Sequence, residues 1–316
     1  MNRIVYHNGE FVDEKEARIS VYDSALMFGD MVFEMTRSFN QETFKLKEHI
    51  ERLMTGIKIY RIPFNHSAEH VEDICEEVVM LNKKAFLPTD EHRLMINVSR
   101  GPLGIYSKIV KPEPTFIVTD FPLKWTVQGM GKLFDTGINA VIPSQRAIPF
   151  NLIDPKIKSR SRVHYQMANI EVSQFKGENN WALLLTPDGF ISEGTGSNFF
   201  IIKDKVLFMP EEVNALRGIS AQTAVNIYNT MTCVVKKNIE PYDVYTADEA
   251  FMTGTPFCIL PVTSLNGIKI GDGEVGKATK SLIRMWSGLV DVDIVSQIKA
   301  FNKETNEAGG TTPYKF

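Results

Sequence analysis

The stretch from Asp154 to Asn198, DPKIKSRSRVHYQMANIEVSQFKGENNWALLLTPDGFISEGTGSN, constrains the fold more than any other. A helix-like run from Ser161 to Phe175 leads almost at once into a hairpin, WALLL-TPDG-FIS, whose turn carries proline, aspartate and glycine. Helix and antiparallel strands therefore share one short segment, and a mixed α and β fold follows. The segment also carries two charged residues at telling places. Lys158 stands after the apolar Ile157 and just ahead of the helix, and Glu193 ends the hairpin in Glu193-Gly194-Thr195-Gly196-Ser197-Asn198.

A lysine at a strand end and a glutamate at a hairpin end can face one cavity. The pair suits pyridoxal phosphate: the amine condenses with the aldehyde, and the carboxylate keeps the pyridine nitrogen protonated. Taken alone, Lys158 reads equally as a solvated lysine beside an acidic turn, because most lysines are solvated.

A chain of 316 residues accommodates two domains with substantial cores. Hydrophobic residues at 43% and charged residues at 23% are ordinary for a soluble globular enzyme. A net charge of −3 gives no reason to expect nucleic acid or an anionic membrane as partner. Cys75, Cys233 and Cys258 have no ligand spacing, so no metal site is expected, and they read as buried free thiols in a reducing compartment. The opening MNRIVYHNGEF has no apolar core of a signal peptide, and no apolar run is long enough to span a bilayer. The expectation is a cytoplasmic protein.

Along the chain, Arg3 to Val12 alternates around Asn8-Gly9, a hairpin turn. The run from Val21 reads as a loop and two strands, with Phe33 and Arg37 on a common face. A helix over Leu46 to Tyr60 gathers Leu46, Ile50, Leu53, Met54 and Ile57, leaving Arg52 off the apolar stripe, where a solvated arginine is the simple reading. A second helix is capped by Ser67, and strands follow at Arg93–Ser99 and Thr115–Thr119. The domains are placed at residues 1–120, a connection at 121–136, a larger domain at 137–301 and a polar tail at 302–316. A further hairpin spans Phe199 to Phe208. A helix opens near Ser220, where free amides offer an anion site or a serine simply caps the helix. A helix from Lys277 to Val290 closes the second domain.

Over roughly Tyr6 to Lys280 the chain resembles the class IV, or fold-type IV, aminotransferases, which include branched-chain and D-amino-acid enzymes. The likeness is carried by FGDMVFE, KEHIERL, Lys158-Ser159, the EGTGSN motif, Gly218-Ile219-Ser220 and Thr253-Gly254-Thr255. It implies an α+β, two-domain architecture: a small N-terminal α/β domain and a larger C-terminal pseudo-barrel, with pyridoxal 5′-phosphate between them. By the same resemblance Lys158 binds the cofactor covalently and Glu193 holds the pyridine nitrogen, these two being catalytic. Arg52, Ile219, Ser220 and Thr255 bind the phosphate. KIYRIP at Lys58 to Pro63 is similar to the branched-chain enzymes, whereas FGD leans toward the D-amino-acid and aminodeoxychorismate lyase branches.

The pattern departs in several places. Ala221 stands where the family has an arginine, and Pro256 follows Thr255 with no amide hydrogen to offer a substrate carboxylate. Phe28 stands for a pocket tyrosine, Arg162 for the tyrosine after the lysine, and the R-x-H carboxylate trap is missing. Phe28, Phe33, Arg37 and Arg162 are the substrate candidates, and a rebuilt carboxylate site draws on Arg37, Arg100, Arg146, Arg160 or Arg162, each of which reads equally as a structural arginine. His164 and Tyr165 suit packing as well as chemistry. The implied function is amino-group transfer between an amino acid, branched-chain or similar aliphatic, and a 2-oxo acid. The alternatives are a lyase acting on aminodeoxychorismate, a D-amino-acid aminotransferase, and a noncatalytic carrier of the cofactor. The resemblance implies a homodimer.

Overall fold

The computed structural model describes residues 2–304, and its contacts divide the chain into two compact units. The first comprises Met1–Leu123 together with Ile157–Arg162; the second comprises Lys124–Lys156 and the chain from Val163 onward. Lys158 thus packs with the N-terminal unit although it lies far along the sequence.

In the first unit β1 (Ile4–His7) and β2 (Glu10–Asp13) form the expected hairpin at Asn8-Gly9. The run after Val21 holds the two expected strands, β3 (Met31–Phe39) and β4 (Glu42–Thr43), but the expected loop before them carries a short helix, α1 (Ser24–Phe28). Asp23 caps α1 by accepting from the Ala25 N–H at 2.8 Å, and Gly29 closes it at φ +68°, a left-handed conformation that costs glycine little. Five residues are too few for helical periodicity to register, which is why the sequence pattern passes over α1.

Helix α2 (Leu46–Ile59) buries Leu46, Ile50, Leu53 and Ile57, and α3 (Ala68–Asn82) buries Val71, Ile74, Cys75, Val78 and Val79. Ser67 accepts from the His70 N–H at 3.2 Å, so the expected cap is present. Strands β5 (His92–Ser99) and β6 (Thr115–Pro122) complete an antiparallel sheet in the order β2-β1-β6-β5-β3-β4. The two helices cover one face of it, and Val32, Leu94, Ile96, Val98 and Val118 meet them in one core. At about 25 cal/mol per Å² of apolar area, that shared burial is the main favourable term for this unit.

The second unit starts with the short helices α4 (Lys124–Val127) and α5 (Leu133–Thr136), then β7 (Ile138–Val141) and α6 (Val163–Ser173). Next come β8 (Asn180–Leu185), β9 (Ile191–Gly194), β10 (Asn198–Lys203), β11 (Val206–Met209), α7 (Ile219–Tyr228) and β12 (Val234–Lys236). The remainder is α8 (Pro241–Tyr245), β13 (Glu249–Gly254), β14 (Cys258–Leu265), β15 (Ile268–Lys269), α9 (Lys277–Leu289) and α10 (Ile294–Glu304). The path β10-β13-β14-β7-β8-β9 returns to β10 through the pair Asn198↔Glu193, closing a barrel-like ring and removing two sheet edges.

Two expectations need correction. Helix α10 follows α9, so α9 does not close the unit, and the first residues of the expected tail continue α10 to Glu304. The rest of that tail, 305–316, lies outside the described residues. Cys75 and Cys258 are buried, but Cys233 is exposed, on the turn before β12. Burial, with Glu72 and Glu76 nearby, pushes the Cys75 thiol up and keeps it in the neutral form.

Candidate functional site

The closing seam of the barrel is where the glutamate of EGTGSN sits. Glu193 is the penultimate residue of β9, Asn198 opens β10, and the turn between the strands is tied by the Gly194 N–H donating to the Ser197 carbonyl at 2.8 Å. Glu193 is only 5% exposed, and a buried carboxylate needs donors. Its Oε1 accepts from the Tyr165 hydroxyl at 2.6 Å, and its Oε2 accepts from the Leu216 N–H at 3.0 Å and from Asn198 Nδ2 at 3.4 Å. Asn198 Nδ2 also donates to the Leu216 carbonyl at 2.8 Å. Gly218 allows this approach, because a side chain there would collide with the Asn198 amide.

Helix α6 docks on the same turn through its inward face. Tyr165, Ala168, Asn169 and Val172 stand at helical spacing, and the Thr195 hydroxyl bonds Asn169 Oδ1 at 2.9 Å. Tyr165 is the residue the sequence reading left between packing and chemistry. Its spacing to Ala168 and Val172 was the available signal. Arg162, which the resemblance puts in the tyrosine's place, belongs to the first unit: Nε donates to the Ser159 carbonyl at 2.8 Å and Cζ is 5.1 Å from the centre of the Phe33 ring.

Three observations in the second unit suit a phosphorylated pyridine. Helix α7 begins at Ile219 with Gly218 as its N-cap, which has no side chain to occupy the first-turn amides. The Thr253 hydroxyl, paired across the ladder with Asn198, is buried with no hydrogen-bond partner among the described residues. Glu193 is already fixed by donors from three directions. Thr255 is half-buried in the turn linking β13 to β14.

In the first unit Lys158 is half-buried, its Nζ 4.9 Å from the centre of the Phe33 ring and its carbonyl accepting the Phe33 N–H at 2.9 Å. Phe28 is exposed on α1, while Phe33 is buried on β3. Arg37, a substrate candidate from sequence, is 1% exposed; its Nε donates to the Ser38 carbonyl at 3.0 Å and its guanidinium lies 3.9 Å from the Phe39 ring centre. That places it in the packing of its own strand.

Arg52 is not a solvated helix residue. It reaches from α2 to Glu34 on β3 with Nε to Oε1 at 2.6 Å and Nη2 to Oε2 at 2.8 Å, and His49 Nδ1 lies 2.8 Å from Oε2. Burial alone would raise the Glu34 pKa, but Arg52 and His49 outweigh it and hold the carboxyl well below the usual carboxylate range. An ionised Glu34 only accepts, so His49 donates Nδ1–H to it. Burial lowers the His49 pKa, with Arg52 and Lys158 adding to the fall and Glu34 opposing it.

Because Glu34 accepts from both Arg52 and His49 at a buried position, Glu34→Ala is expected to lose about 3–5 kcal/mol of stability, measured by urea unfolding with an unchanged m-value. On acidification the unfolded chain takes a proton at His49 before the folded one does. Stability from His49 is therefore full above about pH 6.5 and falls below it, by at most about 1.4 kcal/mol per pH unit. Glu34, depressed in the folded state, adds its own loss only below about pH 4.5.

A cavity of about 550 Å³ between α9 and α10, lined by Lys280, Arg284 and Asp293 among others, shares no residue with these sites. No helix among the described residues is long and apolar enough to cross a membrane, and no metal-binding cluster occurs among them.

Comparison with known proteins matches residues 31–265 to the family described as "Amino-transferase class IV". The chain is 34% identical over 282 residues to a putative branched-chain-amino-acid aminotransferase of Methanocaldococcus jannaschii, covering 88% of this chain and 93% of the relative. Its fold is similar to the crystal structure of the Escherichia coli branched-chain amino acid aminotransferase, with a TM-score of 0.81, 28% identity, and coverage of 92% and 95% of the two chains. It is also similar to the branched-chain amino acid aminotransferase of T.th. complexed with N-(5′-phosphopyridoxyl)-L-glutamate, with a TM-score of 0.77, 25% identity and coverage of 98% and 97%.

Proposed function

Because the chain belongs to the class IV aminotransferases, we propose that Lys158 and Glu193 are the catalytic residues of a pyridoxal-phosphate-dependent transfer of the amino group of branched-chain amino acids to a 2-oxo acid. The single observation carrying the residue assignment is the built environment of Glu193, a buried carboxylate held by Tyr165, Asn198 and the Leu216 amide. The branched-chain enzymes among its relatives support transfer over elimination, and aliphatic substrates over other classes. A cytoplasmic homodimer is the accompanying proposal, supported by the ordinary composition and by the family resemblance.

When bound, pyridoxal phosphate supplies the carbonyl that takes the amino group and an electron sink for the pair left at Cα. Lys158 would hold the cofactor through its amine and would act as the general base and acid that moves a proton at Cα of the substrate. Glu193 keeps a proton at the ring nitrogen, and the Tyr165 hydroxyl fixes which way its carboxylate faces. Arg52, the Ile219 and Ser220 amides and the Thr255 hydroxyl bind the phosphate, with Glu34 and His49 orienting Arg52. Phe33 is the proposed apolar wall for the substrate side chain, with Phe28 beside it in the sequence-based candidate set.

The test is amino exchange between L-leucine and 2-oxoglutarate, followed as glutamate formed. Pyruvate release from aminodeoxychorismate without amino exchange would establish the lyase, and neither activity would leave a carrier. Arg52→Ala is expected to weaken cofactor retention about 10- to 100-fold, the range of a charge-assisted hydrogen bond, while Arg61→Ala leaves it unchanged. Dialysis followed by the cofactor's absorbance distinguishes the two.

A further inference from the structure

After Lys156 the chain runs beside β3, with bends at Ile157 and Arg160. Val32 bridges Ser159, the Phe33 N–H donates to the Lys158 carbonyl, and the Arg160 N–H donates to the Met31 carbonyl, both at 2.9 Å. Lys158, Arg160 and Arg162 all reach the Phe33 ring, while Ser159 and Ser161 pack elsewhere. Ser159 is buried, and the Ser161 hydroxyl reaches the carbonyls of Phe28 and Gly29 at 3.2 and 3.1 Å. The three cations gather round one ring: from the Phe33 centroid, Arg160 Cζ is at 3.7 Å, Lys158 Nζ at 4.9 Å and Arg162 Cζ at 5.1 Å. The ring's electron-rich face offsets part of their mutual repulsion, and an anion beside the ring is attracted to all three.

Arg160 is the one poised for such an anion. Its Nε and Nη2 donate to Asn97 Oδ1 at 3.2 and 2.8 Å, and Nη2 lies 3.0 Å from the Met95 sulfur. Both partners are neutral, so they aim the guanidinium without cancelling its charge. Asn97 stands opposite Phe33 in the β3–β5 ladder, which fixes ring and amide in one frame. Desolvation, with Arg162 alongside, brings the Arg160 pKa down to about 10, and it stays a cation at neutral pH. The competing arginines are engaged elsewhere. Arg100 pairs with Asp30 at 2.6 Å and bonds the Tyr60 carbonyl, Arg146 bonds the Pro143 and Ser144 carbonyls, and Arg37 is buried on its strand.

We infer that Arg160, aimed by Asn97 and flanked by Arg162, binds the α-carboxylate of the amino-acid and 2-oxo-acid substrates. The inference rests on the aminotransferase reading and gives that site its carboxylate-binding residue. Guanidinium and Lys158 amine both lie within 5 Å of the same ring centre. The α-carboxylate is the charge every substrate shares, and it is bonded to the carbon whose proton Lys158 handles. Pro256 has no N–H to serve the same purpose after Thr255.

The test uses the cofactor-loaded protein and 4-methylvalerate, which is leucine without its amino group, with 4-methylpentanamide as its uncharged counterpart. By calorimetry Arg160→Met is expected to bind 4-methylvalerate about 10- to 100-fold more weakly and the amide equally well. Cofactor absorbance and melting temperature should be unchanged, and Arg160→Lys should fall between the two. KM for leucine and for glutamate should rise together. Unchanged 4-methylvalerate binding would overturn the inference, and so would a loss confined to glutamate, which would assign Arg160 to a side-chain carboxylate. Calorimetry needs no turnover, so failure of amino exchange in the parent protein would count against the aminotransferase reading alone.

Discussion

Lys158→Ala is expected to abolish amino exchange between leucine and 2-oxoglutarate, with turnover lower by about 10⁴-fold or more. One side chain is asked to hold the cofactor and to carry the proton at Cα, so its removal strikes both tasks. The variant should fold, because Lys158 is half-buried and its contact with the Phe33 ring contributes only about 0.5–1 kcal/mol. Lys158→Arg should not recover the rate, since a guanidinium keeps its proton throughout the accessible pH range. Turnover above one-hundredth of the parent in either variant would remove Lys158 from the chemistry.

Much of what places Lys158 was legible in the sequence, and the unread part has physical reasons. Helices α2 and α3 declared themselves because apolar residues recur at helical spacing over 14 and 15 residues. The hairpins at Asn8-Gly9 and after Leu185 declared themselves through their turn residues. Helix α1 is too short for periodicity to speak, and α10 begins only a few residues past α9 and runs into the polar segment from 302 that reads as a tail. The ring closure at Asn198↔Glu193 is a long-range pairing that no local pattern encodes.

The candidate site shows the same division. The resemblance of their surrounding motifs marked Lys158 and Glu193, but the partners that define them are distant in sequence. Arg52 looked solvated because it sits off the apolar stripe of α2; its partner Glu34 breaks the apolar expectation for a buried strand position, and the two irregularities compensate each other. Tyr165 reads as packing or chemistry from sequence, and its helical spacing to Ala168 and Val172 puts it on the inward face, but its partner Glu193 lies 28 residues on.

Glu193→Gln is expected to keep the fold and much of the bound cofactor, yet lower kcat by about 10²-fold or more. The amide cannot hold a proton on the ring nitrogen by charge, so the electron sink weakens when the Cα proton leaves. The loss should appear equally in kcat and kcat/KM, as for an interaction expressed mainly in the transition state. Glutamine can still accept from the Leu216 N–H, which bonds the carboxylate at 3.0 Å, so stability should change by no more than about 1–2 kcal/mol. Glu193→Asp should recover little, because the shorter side chain cannot reach Tyr165 and Leu216 together. Tyr165→Phe should cost less than Glu193→Gln, since it frees the carboxylate's orientation and leaves its charge. Parent-like turnover in Glu193→Gln would give the ring nitrogen another partner.

The central claim, that this chain performs its chemistry through pyridoxal phosphate held by Lys158, is tested most directly by borohydride reduction of the cofactor-loaded protein followed by peptide mapping. A reduced pyridoxyl group found on Lys158, and absent from Lys158→Ala treated identically, is the result expected. A label on any other lysine, or none on a protein that exchanges amino groups, would contradict it.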